Sequence, residues 1–255
     1  MILLFKYKMD QSGYLRQFHN LIKRELINDA AKKTNATRLL DIGVGRGGDI
    51  FKWDGANINK VVGVDVCKAF IKVANSRLHN SKLNRDYKFY ETKPNTSFKQ
   101  TLIQEKEDHL YDIVSCQFAI HYLCSSEYNI IRTLKTISQC LCVGGLFIGT
   151  VPDGDSILEL LNGNIEYKSD AVYIHIYNKN VMKIAIKGTV YFGDASFSTE
   201  PLVFKDTIIQ LAKNEGLECE FWKGFDEYNF PVKKRIEPDT FTISRFNSAF
   251  CFRKV

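Results

Sequence analysis

The chain has 255 residues, 45% of them hydrophobic, which is enough for one sizeable core, so one domain with embellishments is expected rather than two. A formal net charge of +6 suits an anionic partner such as nucleic acid, and equally suits a solvated basic surface. No apolar run approaches the roughly 18 residues of a membrane span and MILLFKYK is too short an apolar core for a secretory signal, so a soluble, intracellular protein with no membrane partner is expected.

In chain order, an amphipathic, charged lead (YLRQFHNLIKRELINDAAKK) gives way near residue 37 to β-rich runs alternating with helical patterns, continuing to residue 162. The strands are read at RLLDIGV, KVVGVDV, YKFYET, YDIVSCQFA and GLFIGTVP, with helices near Gly48–Asp54, Lys68–His79, Glu127–Leu141 and Asp155–Leu161. Such alternation implies a parallel sheet covered by helices. Beyond residue 163, AVYIHIYNKNVMKIAIKGTVYF alternates with period two around a turn at Asn178–Asn180, which reads as an antiparallel hairpin or meander. PLVFKDTIIQLAKNEG is a last helix ending at Gly216, and LECEFWKGF and NSAFCFRKV are two closing strands. The charged segment Lys233–Asp239, which contains Pro238, is expected to be a mobile loop.

Seven cysteines, Cys67, Cys116, Cys124, Cys140, Cys142, Cys219 and Cys251, lie mostly in apolar or strand-like segments and read as reduced core residues. Cys140 and Cys142 have neither zinc nor redox spacing, and no metal is expected.

The stretch LLDIGVGRGGDIFKW places Gly43, Gly45 and Gly48 at dinucleotide-binding spacing. Asp65 ends the second strand, where a carboxylate can accept both hydroxyls of an adenosine ribose. Nicotinamide dinucleotides and S-adenosylmethionine both satisfy that pattern. Asp41 and Asp49 make the loop too acidic for a pyrophosphate cradle and suit a sulfonium and an ammonium instead. The closing helix and two strands also match a class I S-adenosylmethionine-dependent methyltransferase better than a six-stranded dehydrogenase domain. The expected fold class is therefore α/β: a Rossmann-like, mostly parallel seven-stranded sheet with helices on both faces and an antiparallel β insertion after the fifth strand.

With SCQFAIHY at the fourth strand, the sequence resembles the mRNA cap guanine-N7 methyltransferases. FHNLIK, LDIGVGRGGDIFKW, VVGVDV, GGLFIGTVPDGDSILE and FCFRKV carry the resemblance along nearly the whole chain. It looks closest to the methyltransferase domains within capping enzymes of large DNA viruses. That implies capped RNA as partner, and also covalently linked triphosphatase and guanylyltransferase domains or an activating subunit. It implies a cytoplasmic site of action if the source is a cytoplasmic DNA virus and a nuclear one if it is cellular. The resemblance divides the chain into a helical lead (1–36), a cofactor-binding core (37–162), a β insertion contributing to the cap pocket (163–202) and a closing helix with β-hairpin (203–255).

By the same resemblance, Lys23, Asp41, Gly43, Gly45, Asp49, Asp65, Gln117 and Tyr122 hold S-adenosylmethionine, leaving S-adenosylhomocysteine as product. Asn20, Arg46, Lys52, Arg77, His121 and Glu200 meet the cap, Glu200 matching the N1 and N2 donors of guanine. Arg46 stands where the family has a lysine. YETKPNT offers only Glu91 where the family has an acid for the adenine, and Phe246 or Asn247 occupies the position of an aromatic that packs on the cap. No residue is expected to act as acid, base or nucleophile. Methylation of another RNA site or a small molecule, and a non-catalytic module that binds cap or cofactor, are the other readings.

Overall fold

The computed structural model describes residues 10–93, 96–178, 181–186 and 197–255. Its apolar runs become strands buried on both faces, as parallel strands under two helical layers must be. In β1 (Arg38–Ile42) Leu39 enters one core and Leu40 the other. The same alternation holds at Val61 and Val62 in β2 (Lys60–Asp65) and at Ile113 and Val114 in β4 (Tyr111–Gln117). With β3 (Asp86–Glu91), β5 (Leu141–Pro152), β10 (Leu217–Gly224) and β11 (Asn247–Lys254), these strands form one seven-stranded sheet in the order β10-β11-β5-β4-β1-β2-β3. β11 runs antiparallel to both neighbours, and β1 to β5 pair in parallel. The order reverses between β1 and β4, which opens a crevice at the carboxyl ends of these two strands.

Helix α1 (Gln11–Thr34) is capped by the Asp10 side chain, which accepts from the Gly13 N–H at 2.7 Å. Phe18, Ile22 and Leu26, spaced by four, turn one stripe of it into the core. Helices α2 (Ile50–Gly55), α3 (Lys68–Ser81), α5 (Glu127–Cys140), α6 (Gly154–Leu161) and α7 (Lys205–Asn214) follow the alternation of the sequence. Between α6 and α7 lies a separate antiparallel sheet of β6 (Glu166–Lys168), β7 (Val172–Asn178), β8 (Val181–Ile186) and β9 (Ser198–Pro201), in that order. Lys179, Asn180 and residues 187–196 lie outside the described residues, and with them most of the expected turn and the end of the expected hairpin. The fold class is the expected one. Among the described residues, no helix is long and apolar enough to cross a membrane.

Four local features depart from expectation. Helix α4 (Phe98–Gln104) is absent from the sequence reading; it is short, and a capping box between Ser97 and Gln100 starts it. The fourth strand stops at Gln117 rather than Ala119, because Phe118 turns into the left-handed region (φ +54) and a 3-10 helix, Ile120–Leu123, follows. The last helix begins at Lys205 instead of Pro201, since Ser198–Pro201 pairs with β8. The segment Lys233–Asp239 is not a loop: it belongs to a 3-10 helix (Pro231–Arg235) and the start of α8 (Pro238–Arg245). Val232 and Ile236, four residues apart, bury themselves and leave the charges outside, while the Glu237 N–H donates to Gln11 Oε1 at 2.8 Å.

All seven cysteines are free, and burial pushes the Cys116 thiol well up and the Cys140 thiol up to about 11. In the turn after β1 the positive φ angles fall at Gly43 (+79), Gly45 (+54) and Gly47 (+68), so the third required glycine is Gly47, not Gly48. A Cβ on Gly47 would stand 2.8 Å from Ile50 Cδ1, whereas one on Gly48 meets nothing within 4 Å. Gly47→Ala is expected to lower the urea-unfolding free energy by about 1–3 kcal/mol, and Gly48→Ala to change it by less than about 0.5 kcal/mol. Equal effects would show that the turn does not depend on φ at Gly47.

Candidate functional site

The crevice is built from the turn outward. A Cβ on Gly43 would stand 2.4 Å from the Ala119 Cβ, so only glycine lets the β1 turn lie against the segment that leaves β4. Asp65, at the end of β2, fixes the turn from the other side: one oxygen accepts from the Gly45 N–H and the other from the Cys67 N–H, each at 2.8 Å.

Three carboxylates converge here. Asp49 is 6% exposed and holds two ammonium groups, Lys23 at 2.8 Å and Lys52 at 2.6 Å. Burial opposes its charge, but the two lysines outweigh burial and hold the carboxyl below the usual carboxylate range. Lys52 is itself 5% exposed and also donates to the Gly48 carbonyl; burial lowers its pKa against the pull of Asp49. Asp41 is buried in β1 with Oδ1 unpartnered. Burial first, and then the Asp49 charge, push it up to about 8. A buried acid with an orphaned oxygen, beside glycines that hold an open turn, suits a cationic group.

Beside this turn a cleft of about 360 Å³ opens between α1, the 3-10 helix after β4, β8, β9 and the α8–β11 junction. Glu200, 8% exposed, accepts from the Tyr122 hydroxyl at 3.1 Å, and its other oxygen lies 3.4 Å from His121 Nε2. His121 is 2% exposed, and burial lowers its pKa in spite of the Glu200 charge. Apolar surface comes from Leu15, Phe118, Pro152, Ile184, Ile243 and Phe246.

Of the residues singled out in the sequence, Asn20, Lys23, His121, Tyr122 and Glu200 line this cleft together. Phe246 and Asn247 both reach it, but the Asn247 amide donates to the Ile243 carbonyl. Gln117 is buried, with its amide donating to Ser115 Oγ and accepting from Thr150 Oγ1, each at 3.2 Å. Three expected cap contacts are not among the lining residues. Lys52 is bound to Asp49, Arg77 is exposed on α3, and Arg46 is exposed with its guanidinium 4.9 Å from the centre of the Phe70 ring.

Sequence reasoning missed His19, Phe118 and Arg16 as lining residues. His19 Nε2 lies 2.9 Å from Ser244 Oγ, and its ring stacks on Phe118. Burial, then the nearby Lys23 charge, push its pKa down to about 3. A helical wheel would have found two of the three, because Ser12, Arg16, His19, Asn20 and Lys23 recur at spacings of three and four. Among the described residues, no group of three His, Cys, Asp or Glu side chains could hold a metal ion.

The sequence profile of the mRNA (guanine-N(7))-methyltransferase domain matches residues 7–244. The chain belongs to this family. It is 36% identical over 245 residues to the mRNA cap guanine-N(7) methyltransferase of Caenorhabditis elegans, covering 88% of this chain and 63% of that one. It is 30% identical over 244 residues to mRNA cap guanine-N(7) methyltransferase 1 of Arabidopsis thaliana, covering 88% and 64%. The chain thus spans less than two thirds of the length of these relatives. They are cellular proteins, and the expectation of a viral source is not borne out. The crystal structure of an S-adenosylmethionine-dependent methyltransferase from Clostridium acetobutylicum shares the fold, with a TM-score of 0.59 at 13% identity over 98% of this chain and 94% of that one.

The raised pKa of Asp41 has a definite sign. The fold favours the protonated carboxyl, so this contribution to stability is full below about pH 4 and is lost as pH rises to about 8. Asp41→Asn stays neutral throughout. Its unfolding free energy, measured in urea at pH 4, 6 and 8, is expected to fall less than that of the unaltered protein over this window; parallel curves would mean that Asp41 is charged at neutral pH.

Proposed function

We propose that this chain transfers a methyl group from S-adenosylmethionine to N7 of the 5′ guanosine cap of RNA. The observation that carries the reading is Glu200: a buried carboxylate that accepts from the Tyr122 hydroxyl and stands 3.4 Å from His121 Nε2, in a cleft with apolar walls beside an acidic glycine turn. A carboxylate has about four acceptor sites, so Glu200, with one oxygen accepting from Tyr122, keeps capacity for the paired N1 and N2 donors of guanine. Phe118 and Phe246 offer flat apolar surface for a purine.

The cofactor residues fit the group. Asp65 is set for ribose hydroxyls, the unpartnered Asp41 oxygen for a cationic centre, and Gly43 and Gly45 for close backbone approach. Lys23 joins cofactor and acceptor sides, since it bonds Asp49 and also lines the cleft. Asp49, Gln117 and Tyr122 complete the set. Bound there, S-adenosylmethionine supplies an electrophilic methyl group on a sulfonium.

Guanine N7 carries a lone pair and no proton, so the cleft needs no general base. Its residues orient the acceptor, an effect that can supply on the order of 7–11 kcal/mol. Methylation leaves the base cationic. The Glu200 charge favours that state, and burial keeps His19 and His121 from opposing it with charges of their own. Arg16 and Asn20, at the cleft, and the exposed Arg46 and Arg77 serve the phosphates, whereas Lys52 is committed to Asp49. Cellular relatives go with the nucleus as the compartment of action.

The test uses labelled S-adenosylmethionine and two RNAs that differ only in beginning with an unmethylated guanosine cap or a triphosphate. Label is expected at N7 of the capped RNA alone; transfer to both would refute the cap as acceptor. Glu200→Gln is expected to lower kcat/KM for capped RNA roughly 100-fold or more while leaving cofactor affinity unchanged. Asp65→Ala should do the reverse, weakening cofactor binding in a direct titration.

A further inference from the structure

The sheet of β6 to β9 has a second face. Val172, Ile174, Met182 and Ile184 bury the first, and Ile184 and Glu200 present it to the cleft. Side chains alternate along a strand, so the intervening residues point away from the cleft. Such an outward face is ordinarily polar. Here it carries Tyr173, His175 and Tyr177 along β7, with Phe197 just before β9. The register sets Lys168 opposite Tyr173 and Lys183 opposite His175.

These rings form two contacting pairs. The Tyr173 and Phe197 centroids are 5.2 Å apart and those of His175 and Tyr177 5.0 Å, and Lys183 Nζ stands 4.3 Å from the centre of the Phe197 ring. Tyr177 is 57% exposed and Phe197 38%. Glu166 shares the face, where it accepts from the Tyr173 hydroxyl at 3.3 Å and lies 3.6 Å from His175 Nδ1. Nothing in the cleft chemistry uses any of these residues.

Flat rings interleaved with ammonium groups match nucleobases interleaved with phosphates, and base stacking on such rings is tolerant of sequence. The net charge of +6 is complementary to a polyanion. The face also borders the cleft, because β8 and β9 contribute to both and β9 is an edge strand among the described residues. We propose that this outward face docks the single-stranded RNA that follows the cap, with bases on Tyr177 and Phe197 and phosphates against Lys168 and Lys183. The proposal rests on capped RNA being the acceptor.

Two measurements on the full chain test it. The first is binding of a fluorescent, uncapped, single-stranded RNA of about 20 nucleotides, followed by anisotropy. Tyr177→Ala combined with Lys183→Ala is expected to weaken it roughly tenfold, and Tyr177→Phe to leave it unchanged. The second compares methyl transfer to a capped RNA of that length with transfer to a cap dinucleotide. The double variant should raise KM roughly tenfold for the long RNA only, with kcat unchanged. Unaltered RNA affinity would overturn the proposal and leave the face to a protein partner. Dinucleotide kinetics falling in step would overturn it too, by showing that the cleft wall had moved. If the unaltered protein methylates neither capped substrate yet binds RNA through these residues, the acceptor reading fails and the docking surface stands.

Discussion

The contact on which the site depends is the buried cluster of Asp49 with Lys23 and Lys52. Lys23 is half-way along α1, and Asp49 follows the glycine turn, so one carboxylate ties the first helix to the first strand crossover. Taking an anion and two cations out of water is costly, and such a cluster contributes little net stability even when its geometry is good. Breaking it is another matter, since a buried charge left without a partner costs about 3–5 kcal/mol. What the cluster provides is position. It fixes α1 so that Asn20 and His19 face the same space as Tyr122 and Glu200, which arrive from elements about 100 and 180 residues later in the chain.

The charge distribution follows from burial applied to different groups. Burial raises Asp41, lowers His19 and His121, and at Asp49 is outweighed by two lysines within hydrogen-bond distance. Two uncharged imidazoles add no positive charge to the cleft, whose cations among the described residues are Arg16 and Lys23, the latter paired with Asp49. A reaction that creates positive charge on its acceptor has use for such surroundings.

Much of this was legible in the sequence, for identifiable reasons. Leu39, Leu40, Val61 and Val62 belong to runs too apolar for a one-sided strand, and the acids around Gly43 and Gly45 spoke against a pyrophosphate. Legibility ended where tertiary contact decides. Lys52 looks like any helix lysine until Asp49 is seen beneath it. Phe118 gives no sign that a left-handed backbone will swing its ring into the cleft, nor Lys233–Asp239 that Val232 and Ile236 will anchor it. Glu200 had meaning only through its resemblance to other sequences, because β9 is four residues long and lacks periodicity of its own.

The antiparallel sheet leaves and rejoins the fold at one spot. Asp153 and Val203 bridge in parallel, and the Gly154 N–H donates to the Val203 carbonyl at 2.8 Å. Some fifty residues of chain therefore start and finish at a single pinned neck, so added length need not shift the registers of β5 and β11, while Ile157, Leu161, Val172, Ile174, Met182 and Ile184 stay tied to the core they share with Ile148 and Ala249. The loop-closure cost of lengthening such an excursion grows only logarithmically. One wall of the cleft can thus lengthen while the strands that carry Asp41 and Asp65 stay as they are.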